Sequence, residues 1–118
     1  MKGMTVQKWS EVPVEDLGSG QTRQVILSDK MMMCRNEVKA GIHVDPHRHE
    51  ELIQYVLKGK LKFMSGKDTK IVGAGEVIVV PEGVEHAIDV LEDALVIDIF
   101  SPPKADYLHK KEPYLIKK

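Results

Sequence analysis

The most informative parts of this chain are residues 41–59, GIHVDPHRHEELIQYVLKG, and residues 75–86, GEVIVVPEGVEH. The first segment carries His47 and His49 two residues apart, and side chains at positions i and i+2 of an extended strand point to the same side. Two imidazoles therefore project side by side into one space. Because neutral imidazole is a common metal ligand, this pair makes half of a metal site.

His86 in the second segment supplies a third imidazole. It follows the turn 81–83, Pro-Glu-Gly, in which proline presets φ and glycine permits positive φ, so a neighbouring strand can begin there. Gln54 offers a neutral oxygen, although its odd offset from His49 faces the wrong side of an unbroken strand. A bulge or turn near Glu50–Glu51 is therefore required, and one of these glutamates completes a two-histidine, one-carboxylate shell if Gln54 faces away.

The rest of the chain reads as short apolar or alternating strands separated by turn residues. The predicted strands are residues 25–27, 31–38, 53–57, 61–64, 70–72, 77–80, 87–91 and 95–100, with a turn at Glu92-Asp93 between the last two. Residues 5–20 read as irregular, with at most a helical turn in 10–17. This spacing predicts an all-β jelly roll or barrel rather than alternating strands and helices. We expect one domain over residues 1–118, with a barrel core at about 30–101, an N-terminal extension at 1–24 and a tail at 102–118.

Charge and composition exclude several classes of partner. The 118 residues include 17 Lys and Arg against 18 Asp and Glu, well mixed along the chain, for a net charge of −1. This balance predicts no nucleic-acid or anionic-membrane partner. No apolar run has the length of a membrane span, the first residues lack the apolar stretch of a signal peptide, and we expect a cytoplasmic location. Cys34 is expected to be a small buried side chain and His43 to be exposed to solvent.

The two opening segments resemble the two signature motifs of the cupins, and the resemblance spans roughly residues 38–101. It implies a single-domain cupin, a double-stranded β-helix or jelly-roll barrel. It also implies one divalent metal ion (Ni, Zn, Mn, Fe or Co) bound by His47, His49, Gln54 and His86. It does not fix the reaction, because one fold hosts many unrelated activities.

A narrower resemblance comes from residues 98–104, DIFSPPK. This segment is similar to the Asp-x-Phe-Ser-Pro-Pro-Arg ending of the KdgF-type cupins of pectin and alginate breakdown, which convert 4,5-unsaturated uronates to open-chain keto forms. The resemblance implies that Asp98, Phe100 and Lys104 lie in the active site. Lysine here replaces the arginine of that family, so a single point charge stands where a guanidinium binds a carboxylate with two parallel hydrogen bonds.

Ring opening of such a uronate requires a base for a hydroxyl proton, an acid for carbon, and a cation near the oxygen. Asp98 is the candidate base or acid, and a structural hydrogen bond at a strand end is an equally open interpretation. Phe100 is expected to be pocket wall, and Lys104 or Arg35 to recognise the carboxylate of a sugar substrate. Two other classes stay open: a metal-dependent dioxygenase, and a non-catalytic cupin that binds a small molecule.

We also expect a homodimer. A jelly roll leaves sheet edges, and small cupins commonly cover such edges by pairing two subunits. The irregular N-terminal segment is available for that pairing.

Overall fold

Strands account for nearly all of the regular structure in residues 3–104, the part of the chain that this computed structural model describes. They are β1 (Glu15–Gly18), β2 (Gln21–Leu27), β3 (Met32–Val38), β4 (His43–His47), β5 (Glu51–Ser65), β6 (Asp68–Gly73), β7 (Val77–Val80) and β8 (His86–Ser101). One 3-10 turn, Trp9–Glu11, precedes them. All of the strand pairs are antiparallel. The predicted all-β fold is therefore confirmed, while the predicted tail beyond residue 104 lies outside the described residues.

Two long strands organise the sheet. Its order is β1-β2-β3-β8-β5-β6, with β4 paired to β8 and β7 paired to β5. Strand β5 pairs with β8 along most of its length, and the register shifts between Val56 and Leu61. Gly59 lies in this irregular stretch with φ of 89°, and a Cβ there would collide with the main-chain oxygen of Asp93. Only glycine combines this positive φ with such a close approach of two backbones.

Several predicted boundaries were wrong. The expected turn near Gly59 is a register shift inside one continuous strand, β5, and the expected turn at Glu92-Asp93 is part of β8, where Lys60 pairs with Glu92. Cross-strand hydrogen bonding therefore overrides local turn composition at these positions. The predicted irregular segment contains β1, and β4 was missed because it is short and contains Pro46.

Alternation along the strands places the core inside the barrel. In β3, Met32 and Cys34 are fully buried, while Met33 between them is 38% exposed. The N-terminal segment is held against the barrel by Gln24, whose Nε2 donates to the main-chain oxygens of Trp9 (2.7 Å) and Val12 (2.9 Å). The same inward face of the strands that carries the apolar core also carries the polar residues of the site. No helix in residues 3–104 is long and apolar enough to cross a membrane.

Candidate metal centre and its cavity

Three histidines converge at one end of the barrel interior. His47 is the last residue of β4 and His86 the first of β8, and the register pairs them directly. His49 lies in the connection between β4 and β5. The three candidate ligand nitrogens all lie within 4.8 Å of one another. The structure thus brings together the three imidazoles that the sequence predicts as ligands.

The hydrogen bonds of the imidazoles fix which nitrogen faces the centre. Each ring places Nδ1 against a main-chain carbonyl oxygen: His47 against Asp45 at 2.8 Å, His49 against Glu50 at 2.7 Å, and His86 against Val84 at 2.9 Å. A carbonyl only accepts, so each Nδ1 carries the proton and donates it. Each neutral ring therefore presents the lone pair of Nε2 as a potential metal ligand.

The spacing of these lone pairs fits a single ion. The Nε2 atoms of His49 and His86 are 3.1 Å apart. When both rings are neutral and protonated at Nδ1, no hydrogen atom joins the two Nε2 atoms, and two lone pairs face each other. Two nitrogens each about 2.1 Å from one ion would stand roughly 3.0–3.4 Å apart in octahedral or tetrahedral geometry. A divalent cation therefore accounts for a contact that the neutral rings alone leave repulsive.

Gln54 fits as a fourth ligand. Its side chain is 4% exposed and lines the same cavity as the three histidines. Its Nε2 donates to Oδ1 of Asp98 at 2.8 Å, and a carboxylate only accepts, so the orientation of the amide is fixed. This leaves Oε1 buried and without a hydrogen-bond partner among the described residues. Because β4 and β5 are separate strands, the break that Gln54 requires lies in the connection around His49.

Burial favours the neutral form of His47 and His86. Desolvation lowers the pKa of His47 to about 4, assisted by repulsion from His86 and His49 and from the ammonium of Lys104. Desolvation likewise lowers the pKa of His86, with a further contribution from Lys104. Neutral imidazole is the form that binds metal, so burial prepares these side chains as ligands.

Asp98 is the buried carboxylate of the site. It lies on β8 opposite Gln54 and is 5% exposed. Its Oδ2 accepts a second hydrogen bond, from Nδ2 of Asn36 at 2.9 Å. Burial raises the pKa of Asp98 to about 6, against the opposing effects of the two amide donors and of Lys104. A carboxylate with a pKa near neutrality is suited to take up and release a proton.

Phe100 and Lys104 complete the predicted set. Both are 1% exposed, and both line the same cavity of about 90 Å³. The Phe100 ring stands edge-on to His49 with ring centroids 5.3 Å apart, as expected for a pocket wall. Arg35 does not line this cavity: it lies on the outer face and donates to Oε1 of Gln24 at 3.1 Å. The alternative carboxylate-binding role of Arg35 is therefore not supported.

Neither Glu50 nor Glu51 lines the cavity, and Glu51 is exposed. The alternative metal shell that contains one of these glutamates is therefore not supported.

Cys34 is buried as expected, and burial raises the pKa of its thiol.

Three buried polar residues of the cavity were missed by sequence analysis: Gln21, Arg23 and Asn36. Arg23 is 1% exposed and its Nε donates to Oε1 of Glu15 at 3.1 Å. The signal that could have found them is the two-residue period of side chains along a strand. Asn36 has the inward parity of Cys34, and Gln21 and Arg23 are two residues apart on a strand whose start was placed too late.

Comparison with known proteins agrees with this geometry. The Cupin_2 family model (cupin domain) matches residues 33–100. The chain is 33% identical over 103 residues to the pectin degradation protein KdgF of Dickeya dadantii, an alignment that covers 83% of this chain and 93% of the relative.

Solved structures show the same similarity. KdgF from Halomonas sp. superimposes with a TM-score of 0.74 at 28% identity, covering 83% of this chain and 94% of that one. An RmlC-like cupin from Shewanella frigidimarina superimposes with a TM-score of 0.79 at 24% identity, covering 89% and 96%, which shows the fold alone.

Proposed function

Since this chain belongs to the cupin family, we propose that it is a metal-dependent, non-redox enzyme that opens 4,5-unsaturated uronates to their linear keto forms. The similarity to KdgF of Dickeya dadantii, a pectin degradation protein by name, supports a sugar-acid substrate. The cavity of about 90 Å³ is small, which favours a small molecule over a polymer chain.

The observation that carries this proposal is the position of Asp98. A carboxylate at 5% exposure shares one cavity with three neutral imidazoles and with the buried lysine Lys104. Asp98 is also held by two amide donors, from Gln54 and Asn36, which fix the carboxylate plane without neutralising its charge.

The reaction needs only proton movements. In the proposed sequence Asp98 takes the proton of the anomeric hydroxyl, the bond from that carbon to the ring oxygen breaks, and an aldehyde forms. The electron pair moves onto the former ring oxygen as an enolate, and Asp98 returns the proton to carbon 4. Atoms and electrons balance without an oxidant. A divalent ion held by His47, His49, His86 and Gln54 would supply positive charge that stabilises a developing oxyanion.

Lys104 is the proposed partner of the substrate carboxylate. Its ammonium is 1% exposed and close enough to Asp98 to lower the pKa of that carboxyl. A buried cation that lines a cavity attracts an anionic group there, because the low surrounding polarity strengthens the interaction. A lysine makes this contact as a point charge, with less demand on orientation than a guanidinium.

The test is the decay of the ultraviolet absorbance of a 4,5-unsaturated galacturonate, corrected for its spontaneous opening. Decay faster than the spontaneous rate, without oxygen uptake, supports the proposal. Oxygen uptake with iron bound would establish the dioxygenase alternative. Tight retention of the uronate without product would establish the binding-protein alternative.

The homodimer stays a prediction, and we propose that a second copy covers one outer face of the sheet. The register aligns Met33, Ile99, Ile53 and Val79 in one outward row across four strands, and Ile53 and Val79 are 43% and 56% exposed. A row of this kind suits an isologous contact. Ile53→Glu should give a monomer by light scattering, whereas Ile71→Glu, on β6 outside the row, should not. A monomeric wild-type protein would contradict this proposal.

A further inference from the structure

The cavity contains two buried polar atoms that the proposed reaction does not use. Nε2 of Gln21 and Oδ1 of Asn36 have no hydrogen-bond partner among the described residues. Both residues line the same cavity as the histidines, and they are 2% and 8% exposed. Buried polar groups are nearly always paired, so an unpaired donor and an unpaired acceptor on two residues that line one cavity indicate a missing ligand.

The two residues that carry these atoms lie in other rows of the sheet than Asp98 and Gln54. Along the inward face, Asp98 pairs with Gln54 in one row, and Arg23 pairs with Asn36 in the next. Gln21 is two residues before Arg23 on the same strand, one row further from Asp98. The barrel interior therefore has two polar regions: the histidine centre with Asp98, and a second group formed by Gln21, Arg23 and Asn36.

Asp98 sets the orientation of Asn36. The carboxylate accepts from Nδ2 of Asn36 at 2.9 Å, so the amide cannot be turned round without placing two acceptors against each other. Oδ1 of Asn36 is thereby held as an acceptor. Arg23, the cross-strand neighbour of Asn36, is buried and is anchored through Nε by Glu15. Gln21 adds a neutral donor. A sugar hydroxyl is both a donor and an acceptor, and this group of residues offers both kinds of partner.

We propose that Gln21, Arg23 and Asn36 form a second substrate subsite that binds the ring hydroxyls of the sugar acid while its reacting end lies against Asp98. The proposal rests on the proposed function and names how that substrate is held. The subsite gives the cavity a preference for polyhydroxylated acids over simple carboxylic acids of similar size. A site built to hydrogen-bond a hydroxyl discriminates against an analogue without one, because its own buried polar groups are then left unpaired.

Gln21→Met tests the subsite, because methionine keeps the length of the side chain and removes the donor. We expect KM for 4,5-unsaturated galacturonate to rise roughly fivefold with little change in kcat, the size of effect that loss of one neutral hydrogen bond produces. We also expect the melting temperature of the substrate-free variant to stay level or rise, since no hydrogen bond of the fold is lost. An unchanged KM in an active enzyme would overturn the proposal.

Gln24→Met on the same strand is the matched control. Gln24 is also buried, but its amide bonds Trp9 and Val12 and it does not line the cavity. This variant should lower the melting temperature and leave KM unchanged.

If wild type has no turnover, the proposed function fails, and the subsite is then tested by the Kd for galacturonate in calorimetry. Weaker binding by Gln21→Met, roughly fivefold, would support the subsite, and equal or absent binding in both proteins would overturn it.

Discussion

The two ends of β4 carry histidines with opposite electrostatic behaviour. At its start, His43 places Nδ1 2.6 Å from Oδ1 of Asp89, and the ring is 42% exposed. The hydrogen bond to Asp89 raises the pKa of His43. At the end of β4, the Nδ1–H of His47 donates to the main-chain carbonyl of Asp45. Burial lowers the pKa of His47 to about 4. The carboxylate partner favours a charged, surface-paired imidazole, whereas the carbonyl partner and burial favour a neutral ligand.

This contrast predicts which histidine the metal needs. We expect His86→Ala to lose most of its bound divalent ion and nearly all activity, because it removes one of three converging lone pairs. His43→Ala, at the end of β4 opposite to His47, should keep a full complement of metal. The measurement is metal content by mass spectrometry after gel filtration. Full occupancy in His86→Ala would refute the ligand assignment.

Strand β8 likewise carries one buried aspartate, Asp98, and one more exposed aspartate, Asp89. Asp98→Asn keeps the shape of the side chain and removes its charge and its capacity to transfer protons. We expect the rate to fall on the order of a hundredfold or more while metal content stays. Asp89→Asn, which changes only the exposed partner of His43, should retain the wild-type rate. Equal rates for the two variants would remove the catalytic role of Asp98.

Lys104 should affect binding more than chemistry. Lys104→Ala is expected to raise KM for the uronate about tenfold, because a buried charge that contacts substrate in both ground and transition states is lost. Lys60→Ala is a control, since Lys60 forms an exposed ion pair with Glu92 at 3.6 Å. The measurement is KM and kcat of both variants by steady-state kinetics. A KM unchanged in Lys104→Ala would place the substrate carboxylate elsewhere.

The smallest expected effect concerns the exposed histidine. Because the folded-state pKa of His43 is raised above 6.5, the stability from its pair with Asp89 is fully present below pH 6.5. That contribution is lost as pH rises through the folded pKa. His43→Gln should therefore lower the melting temperature by a few degrees at most at pH 5.5, and by less at pH 8.5. A larger loss at pH 8.5 would contradict the assigned sign.

Much of the inner site was predictable because its signals are local. The offset of two between His47 and His49 and the turn before His86 need only short-range geometry. Asn36 and Arg23 were missed because polar residues inside a barrel break the apolar-inward rule on which strand assignment depends. Arg35 was considered as a carboxylate-binding residue because of its charge. Its position on β3, between the buried residues Cys34 and Asn36, instead places it on the outer face.

The other wrong prediction was the division of β8 into two strands, residues 87–91 and 95–100. Nothing local in residues 87–100 shows that Glu92 and Asp93 continue β8, since their partner is a strand more than thirty residues earlier in the chain. Register between distant strands is a tertiary property, and local turn composition is a poor guide to it.

The most direct measurement is turnover of 4,5-unsaturated galacturonate by the wild-type protein as purified, after chelation, and after restoring Ni, Zn, Mn, Fe or Co in turn. We expect absorbance loss above the spontaneous rate, abolished by chelation and recovered with at least one of these ions. Absorbance loss at the spontaneous rate with every ion would contradict this expectation.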